Sequence, residues 1–192
     1  MKLTNITKSF ASKKIFESNN FEFEDGKVSY ILGESGIGKT TILRIIAGLD
    51  KDFSGEIHKS SNKISYVFQE PRLFPSVSVY DNIAITTTSS KYTVETVLKL
   101  VEMESEINAL PSSLSGGMKM RIALARAIYS DGDIFLMDEP FSALDEDLKN
   151  RILPKVFECL KGKTVIIVSH NIEEANKFAD NIINFNTILN QK

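Results

Sequence analysis

The 192-residue chain predicts an α/β fold with a mainly parallel sheet. Three features carry that prediction. The last third alternates short β-branched runs with helical stretches. A glycine-rich loop joins a strand to a helix near residue 33. Hydrophobic residues make up 42% and charged residues 25%, the balance of a globular chain that can bury a real core. The length suits one domain, or one domain with a small insertion.

The elements follow in order. Lys2–Ile6 and Ile15–Glu24 alternate loosely between apolar and polar residues and read as strands, with Asp25-Gly26 as a turn. Val28–Leu32 is a short apolar run suited to a buried strand. Ile42, Ile45, Ile46 and Leu49 fall at helical spacing, and Gly48 marks the end of that helix. Gly55–Lys59 and Lys63–Phe68 read as strands. Pro71, Pro75 and Pro111 bracket a segment in which Val94, Val97, Leu98 and Val101 predict a helix, so this part reads as a mainly helical insertion. Then come a helix over Gly116–Ser130, a strand over Asp133–Asp138 and a helix over Asp145–Leu160, kinked at Pro154. A strand over Lys163–Ser169, a helix over Ile172–Ala179 and a strand over Ile182–Phe185 complete the chain.

Composition excludes several classes. The formal charge is −2, which gives no support for a protein that coats nucleic acid. The single cysteine, Cys159, cannot close an intramolecular disulfide, and its apolar neighbours Val156 and Leu160 place it in the core. No apolar run approaches the ~20 residues of a membrane span, and the N-terminus lacks a secretory h-region. A soluble, single-domain protein of a reducing compartment is expected, with any membrane role supplied by a partner.

Gly33-Glu34-Ser35-Gly36-Ile37-Gly38-Lys39-Thr40 fits G-x-x-x-x-G-K-[ST] between a predicted strand and a predicted helix. Glycines allow positive φ and let backbone N–H groups approach an anion. The following helix adds its free N–H groups and positive dipole end. Lys39 can bring a charge to terminal phosphates, and Thr40 a hydroxyl to Mg²⁺. Ile134–Met137 then delivers Asp138 and Glu139 to the carboxyl end of a buried strand, where open α/β sheets bind ligands. Asp138 there suits Mg²⁺, and Glu139 could orient or deprotonate an attacking water.

Together these residues resemble the ATP-binding cassette (ABC) ATPases, and further motifs extend the resemblance over almost the whole chain. Leu114-Ser115-Gly116-Gly117-Met118 looks like the family's signature sequence. Gln69 is placed like its Q-loop glutamine, Ser142-Ala143-Leu144-Asp145 like its D-loop, His170 like its switch histidine, and Phe10 like the aromatic that stacks on adenine. The resemblance implies a P-loop NTPase core, an N-terminal antiparallel β subdomain, and an α-helical subdomain inserted at about 70–128 of a single 1–192 domain. It implies ATP and Mg²⁺ as ligands. Glu139, His170, Gln69 and Lys39 take the catalytic roles, and Thr40, Gln69 and Asp138 the metal. The nucleotide falls to Phe10, the loop Gly33, Glu34, Ser35, Gly36, Ile37, Gly38, Lys39, Thr40, the adjacent Thr41, and across a head-to-tail homodimer Ser115, Gly116, Gly117 and Asp145. Met118 departs from the glutamine usual in the family, and Met120 from another polar residue, which predicts a modest effect on ATP-driven closure.

The stretch from Arg72 to Asn82 resembles the permease-contacting segment of bacterial importers, especially those for nitrate, sulfonates and taurine. Leu73, Phe74 and Val77 would form an apolar patch rimmed by Arg72 and Asp81. The reading that results is a cytoplasmic ATPase subunit, peripheral on the inner face of the membrane, driving a separate permease and indirectly served by a solute-binding protein. A soluble ABC ATPase without a permease, and an export-coupled subunit, are the alternatives. The chain ends soon after its last core strand, which suggests a minimal cassette.

Overall fold

A computed structural model describes residues 1–11 and 13–190. Ser12, Gln191 and Lys192 lie outside the described residues. Eight strands, β1 (Lys2–Phe10), β2 (Lys13–Glu22), β3 (Val28–Leu32), β4 (Ser54–His58), β5 (Ile64–Val67), β6 (Ile134–Asp138), β7 (Thr164–Val168) and β8 (Asn181–Asn184), form two sheets. Five of them make a parallel sheet in the order β5-β6-β7-β3-β8. The other three make a separate antiparallel sheet in the order β2-β1-β4.

The helices are α1 (Lys39–Ile46), α2 (Val79–Ala84), α3 (Val94–Leu100), α4 (Gly116–Tyr129), α5 (Glu146–Cys159), α6 (Ile172–Phe178) and α7 (Phe185–Asn190). Side chains alternate across a strand, so each central strand supplies two cores. Phe135 and Met137 of β6 and Val165 and Ile167 of β7 join a core with α2 to α5 on one face. Ile134, Leu136, Ile166 and Val168 join the other, where α1 and the antiparallel sheet contribute Ile42, Leu43, Leu3 and Phe16. A strand covered on both faces reads as an unbroken apolar run, which is why β6 and β7 are fully buried along their length.

Several boundaries differ from the sequence reading. β1 extends past Ile6 to Phe10, because its pairing with β2 runs to Phe10↔Lys13. β8 stops at Asn184, and Phe185 starts a helix instead of ending a strand. Phe185 is fully buried beside Phe16 and Phe21, at ring-centroid distances of 6.2 and 5.2 Å, so tertiary packing decides its state. α5 runs as one helix through Pro154. Cys159 is half-buried rather than core, as the last residue of α5.

Candidate nucleotide site

The site forms where neighbouring parallel strands end. β3 runs into the glycine loop, β5 into Gln69, β6 into Asp138 and Glu139, and β7 into Ser169 and His170. The strands are adjacent in the sheet, so residues up to 137 positions apart meet at one edge. A cleft of about 390 Å³ opens there, lined by Phe10, Lys13 and Ile15, by Ser35, Gly36 and Gly38–Thr41, and by Gln69, Asp138 and Glu139. It adjoins a second hollow of about 300 Å³ that adds Gly33, Ser142 and His170.

Gly38 precedes α1 with φ 112, in the left-handed region. A Cβ on Gly38 would stand 2.5 Å from Ile15 Cγ2 and 2.9 Å from the Phe16 ring, so the loop closes only on hydrogen. This contact also ties the antiparallel sheet to the phosphate loop. The Lys39 side chain curls back into its own loop. Its Nζ donates to the carbonyls of Gly33 at 2.7 Å and Glu34 at 2.8 Å. Glu34 is exposed and joins Asn186 through weak contacts of 3.4 and 3.5 Å. Ile37 is half-buried against the core of the antiparallel side.

Asp138 is buried beneath this loop and accepts a hydrogen bond from the Thr40 hydroxyl. Its Oδ1 has no hydrogen-bond partner. Burial pushes its carboxyl up from the ordinary aspartate value. The Thr40 bond pulls the other way, the Glu139 charge adds to the rise, and Lys39 offsets part of it. A buried carboxylate oxygen without a donor is costly unless something cationic reaches it. The donors here are all oxygen, from Thr40, Gln69 and Asp138, as a hard divalent ion that also takes phosphate oxygens requires. The residues fit Mg²⁺.

Glu139 holds a left-handed backbone, φ 50, rare for a side chain with a Cβ. Three bonds enforce it. Its N–H donates to the Val168 carbonyl at 2.9 Å, and its own carbonyl accepts from the Ser142 hydroxyl at 2.9 Å and the Ser142 N–H at 3.3 Å. The strand therefore turns at Glu139 and sends its carboxylate to His170, whose Nδ1 lies 3.0 Å from Oε2. An ionised carboxylate only accepts, so Nδ1 carries the proton of this bond.

Phe10 is 50% exposed on the cleft wall and does not pack into the core. Ser115, Gly116, Gly117 and Asp145 do not line the cleft. Ser115 caps α4, its Oγ accepting from Met118 N–H at 3.2 Å, and remains exposed. Asp145 caps α5 in the same way through Leu148 N–H at 2.9 Å. The two caps are neighbours: a Cβ on Gly117 would stand 2.9 Å from the Ala143 carbonyl oxygen. Met118 is half-buried against the larger core and Met120 belongs to it, so apolar residues at these positions have a packing role.

The sequence reading did not single out Lys13 and Ile15, although hairpin pairing of Lys13 with Phe10 brings both to the cleft. It also passed over two anchors of the segment after Gln69. Asn82, fully buried, accepts from Phe74 N–H at 2.7 Å and donates to the carbonyls of Phe74, Val77 and Ser78 at 3.0–3.1 Å. Arg126 of α4 donates to the carbonyls of Arg72 at 3.0 Å and Pro71 at 2.8 Å. Arg72 itself lies over the Phe68 ring, 4.1 Å from its centroid. Phe74 stays exposed at the tip of this held loop, Val77 is half-buried, and Leu73 packs on the core.

Comparison with known proteins identifies the family. The family model described as ABC transporter matches residues 16–142. An aliphatic sulfonates import ATP-binding protein of Pseudomonas syringae pv. tomato is 36% identical over 92% of this chain and 78% of its own length. Its counterpart in Bacillus cereus is 38% identical over 93% of this chain and 76% of its own. The dimeric post-hydrolysis structure of the ATP-binding cassette MJ0796 bound to ADP and Pi superposes with a TM-score of 0.84 at 30% identity, covering 95% of this chain and 93% of that one. With the phosphate loop, the acidic pair and the strand-end histidine gathered at one sheet edge, the chain belongs to the ABC transporter family as an ATP-binding, ATP-hydrolysing subunit.

Proposed function

We propose that this chain powers import of a small solute through a separate membrane permease, by closing on a second copy of itself around two MgATP molecules. The observation that carries the reading is the convergence of the phosphate loop, Gln69, Asp138, Glu139 and His170 on adjoining hollows, while Ser115 stands exposed outside them. A site complete in one chain would not leave the signature turn facing solvent. Here Ser115, Gly116 and Gly117 cap the γ-phosphate held by the partner copy, and Asp145 links the two sites.

Phe10 stacks on the base, and the amides of Gly33–Thr41 wrap the phosphates. Lys39 exchanges its loop carbonyls for phosphate oxygens. Thr40, Gln69 and Asp138 hold Mg²⁺, which when bound neutralises charge on the phosphate oxygens. Glu139 orients the attacking water and accepts its proton, and His170 holds that carboxylate and contacts the γ-phosphate. The single cassette spans residues 1–192 with its helical part inserted at about 70–128. The Arg72–Asn82 segment presents Phe74 to the permease. The subunit works at the inner face of the membrane, where it meets the permease; among the described residues no helix is long and apolar enough to cross a membrane. Relatives named for aliphatic sulfonate import supply the solute class of the proposal, and a solute-binding protein feeds the permease.

Glu139→Gln tests the reading. It abolishes turnover while retaining MgATP binding, and shifts the protein to a dimer on size-exclusion chromatography when ATP is present. A variant that still turns over, or that stays monomeric with ATP bound, defeats the composite-site mechanism. Co-purification with a polytopic membrane protein separates the transport role from that of an ATPase acting without a permease.

A further inference from the structure

Lys8 sits two residues before Phe10 on β1, and its side chain is only 2% exposed. Its ammonium donates to Asp50 Oδ1 at 3.0 Å, the Asp52 carbonyl at 2.5 Å and Asp52 Oδ2 at 3.2 Å. The same Nζ lies 4.7 Å from the centroid of the Phe10 ring. Asp50 and Asp52 lie just beyond α1, the helix that the phosphate loop opens. A buried lysine is costly to place, and one whose three donors converge on one short loop, beneath an aromatic ring half exposed to the cleft, does more than fill space.

We propose that Lys8 is a positioning residue for the nucleotide base: clamped by Asp50 and Asp52, it holds Phe10 against the cleft and binds the ring face turned away from the base. The inference rests on the nucleotide reading of the cleft. A cation against a π face is an attractive contact that fixes the ring's orientation. It also draws electron density toward that face, which favours stacking of an electron-rich purine on the other. The Asp50–Lys8–Phe10 chain thereby links the far end of α1 to the base-binding wall, while the near end of α1 serves the phosphates.

The test compares MgATP with Mg-tripolyphosphate, which has the phosphates and no base, by isothermal titration calorimetry on the full chain. Lys8→Met is expected to weaken MgATP about three- to tenfold and leave tripolyphosphate unchanged. In steady state it raises KM for ATP and leaves kcat at saturation unaltered. In a Phe10→Ala background Lys8→Met adds no further loss of ATP affinity, because the ring it positions is gone. Asp52 is 95% exposed, so Asp52→Asn leaves the fold intact and shows a smaller loss of the same kind even if Lys8→Met folds poorly. Equal weakening of ATP and tripolyphosphate overturns the proposal in favour of a general structural role. Full ATP affinity in Lys8→Met and Asp52→Asn, with Phe10→Ala weakened, overturns this inference alone. Full affinity in Phe10→Ala overturns the base-stacking reading of Phe10 and this inference with it.

Discussion

His170 Nδ1 and Glu139 Oε2 stand 3.0 Å apart, joined across the carboxyl ends of two neighbouring strands, β7 and β6. The left-handed turn at Glu139 aims the carboxylate, and the imidazole receives it.

That pairing separates two roles. Glu139→Gln removes the proton acceptor and lowers single-turnover hydrolysis about 10²- to 10⁴-fold. His170→Ala leaves the acceptor and removes its holder. Its loss is smaller in the pre-steady state and partly restored by His170→Asn, which can still donate to Glu139. Rapid-quench measurement on the assembled transporter reads both.

Asp138→Asn tests the buried carboxyl. Burial raises its folded pKa above the unfolded value. The stability associated with its neutral form is therefore fully present below the unfolded value and lost as pH rises through the folded one. At neutral pH the nucleotide-free protein carries the cost, so the amide, which cannot ionise, raises the melting temperature by about 2–4 °C for each kcal/mol recovered. The same variant loses Mg²⁺-dependent tightening of ATP binding. Calorimetric melting with and without MgATP shows opposite signs for the two effects.

Gly38→Ala and Gly117→Ala should fail differently. At Gly38 an added methyl meets Ile15 and Phe16 in a left-handed backbone, and the expected cost is about 2–3 kcal/mol with loss of ATP binding. At Gly117 it meets the Ala143 carbonyl oxygen at 2.9 Å, backbone that must shift, so some stability is lost with ATP-driven dimerisation while ATP binding at the phosphate loop persists. Denaturant titration and light scattering distinguish the two.

Phe74→Ala should change stability by under about 0.5 kcal/mol, because the ring is exposed, yet abolish co-purification with the permease. Asn82→Ala removes the four bonds that hold the loop and costs about 1–3 kcal/mol as well as the permease contact. Paired melting and pull-down assays check the contrast.

Much of this was legible before any coordinates. The apolar runs ending in Asp138 and His170 predict buried parallel strands, and parallel strands put their following residues at one edge. What periodicity could not reveal were decisions made at long range. Phe185 continues an apolar run and reads as strand, but two phenylalanines of β2 draw it into a helix. Lys8 and Arg126 carry no local signal, because their partners lie 42 to 55 positions away. Asn82 shows its anchoring role only once the backbone of 74–78 wraps around it. The left-handed turn at Glu139 has no sequence signal, since the usual marker, glycine, is absent.

The grip of Arg126 on the carbonyls of Pro71 and Arg72 has a mechanical corollary. The helix that starts at Ser115 and the strand exit that bears Gln69 cannot drift apart without breaking two charged bonds. In the proposed dimer, a tug delivered at Phe74 would thus be carried sideways along α4 to the Ser115 turn, as a rod carries a push from one end to the other.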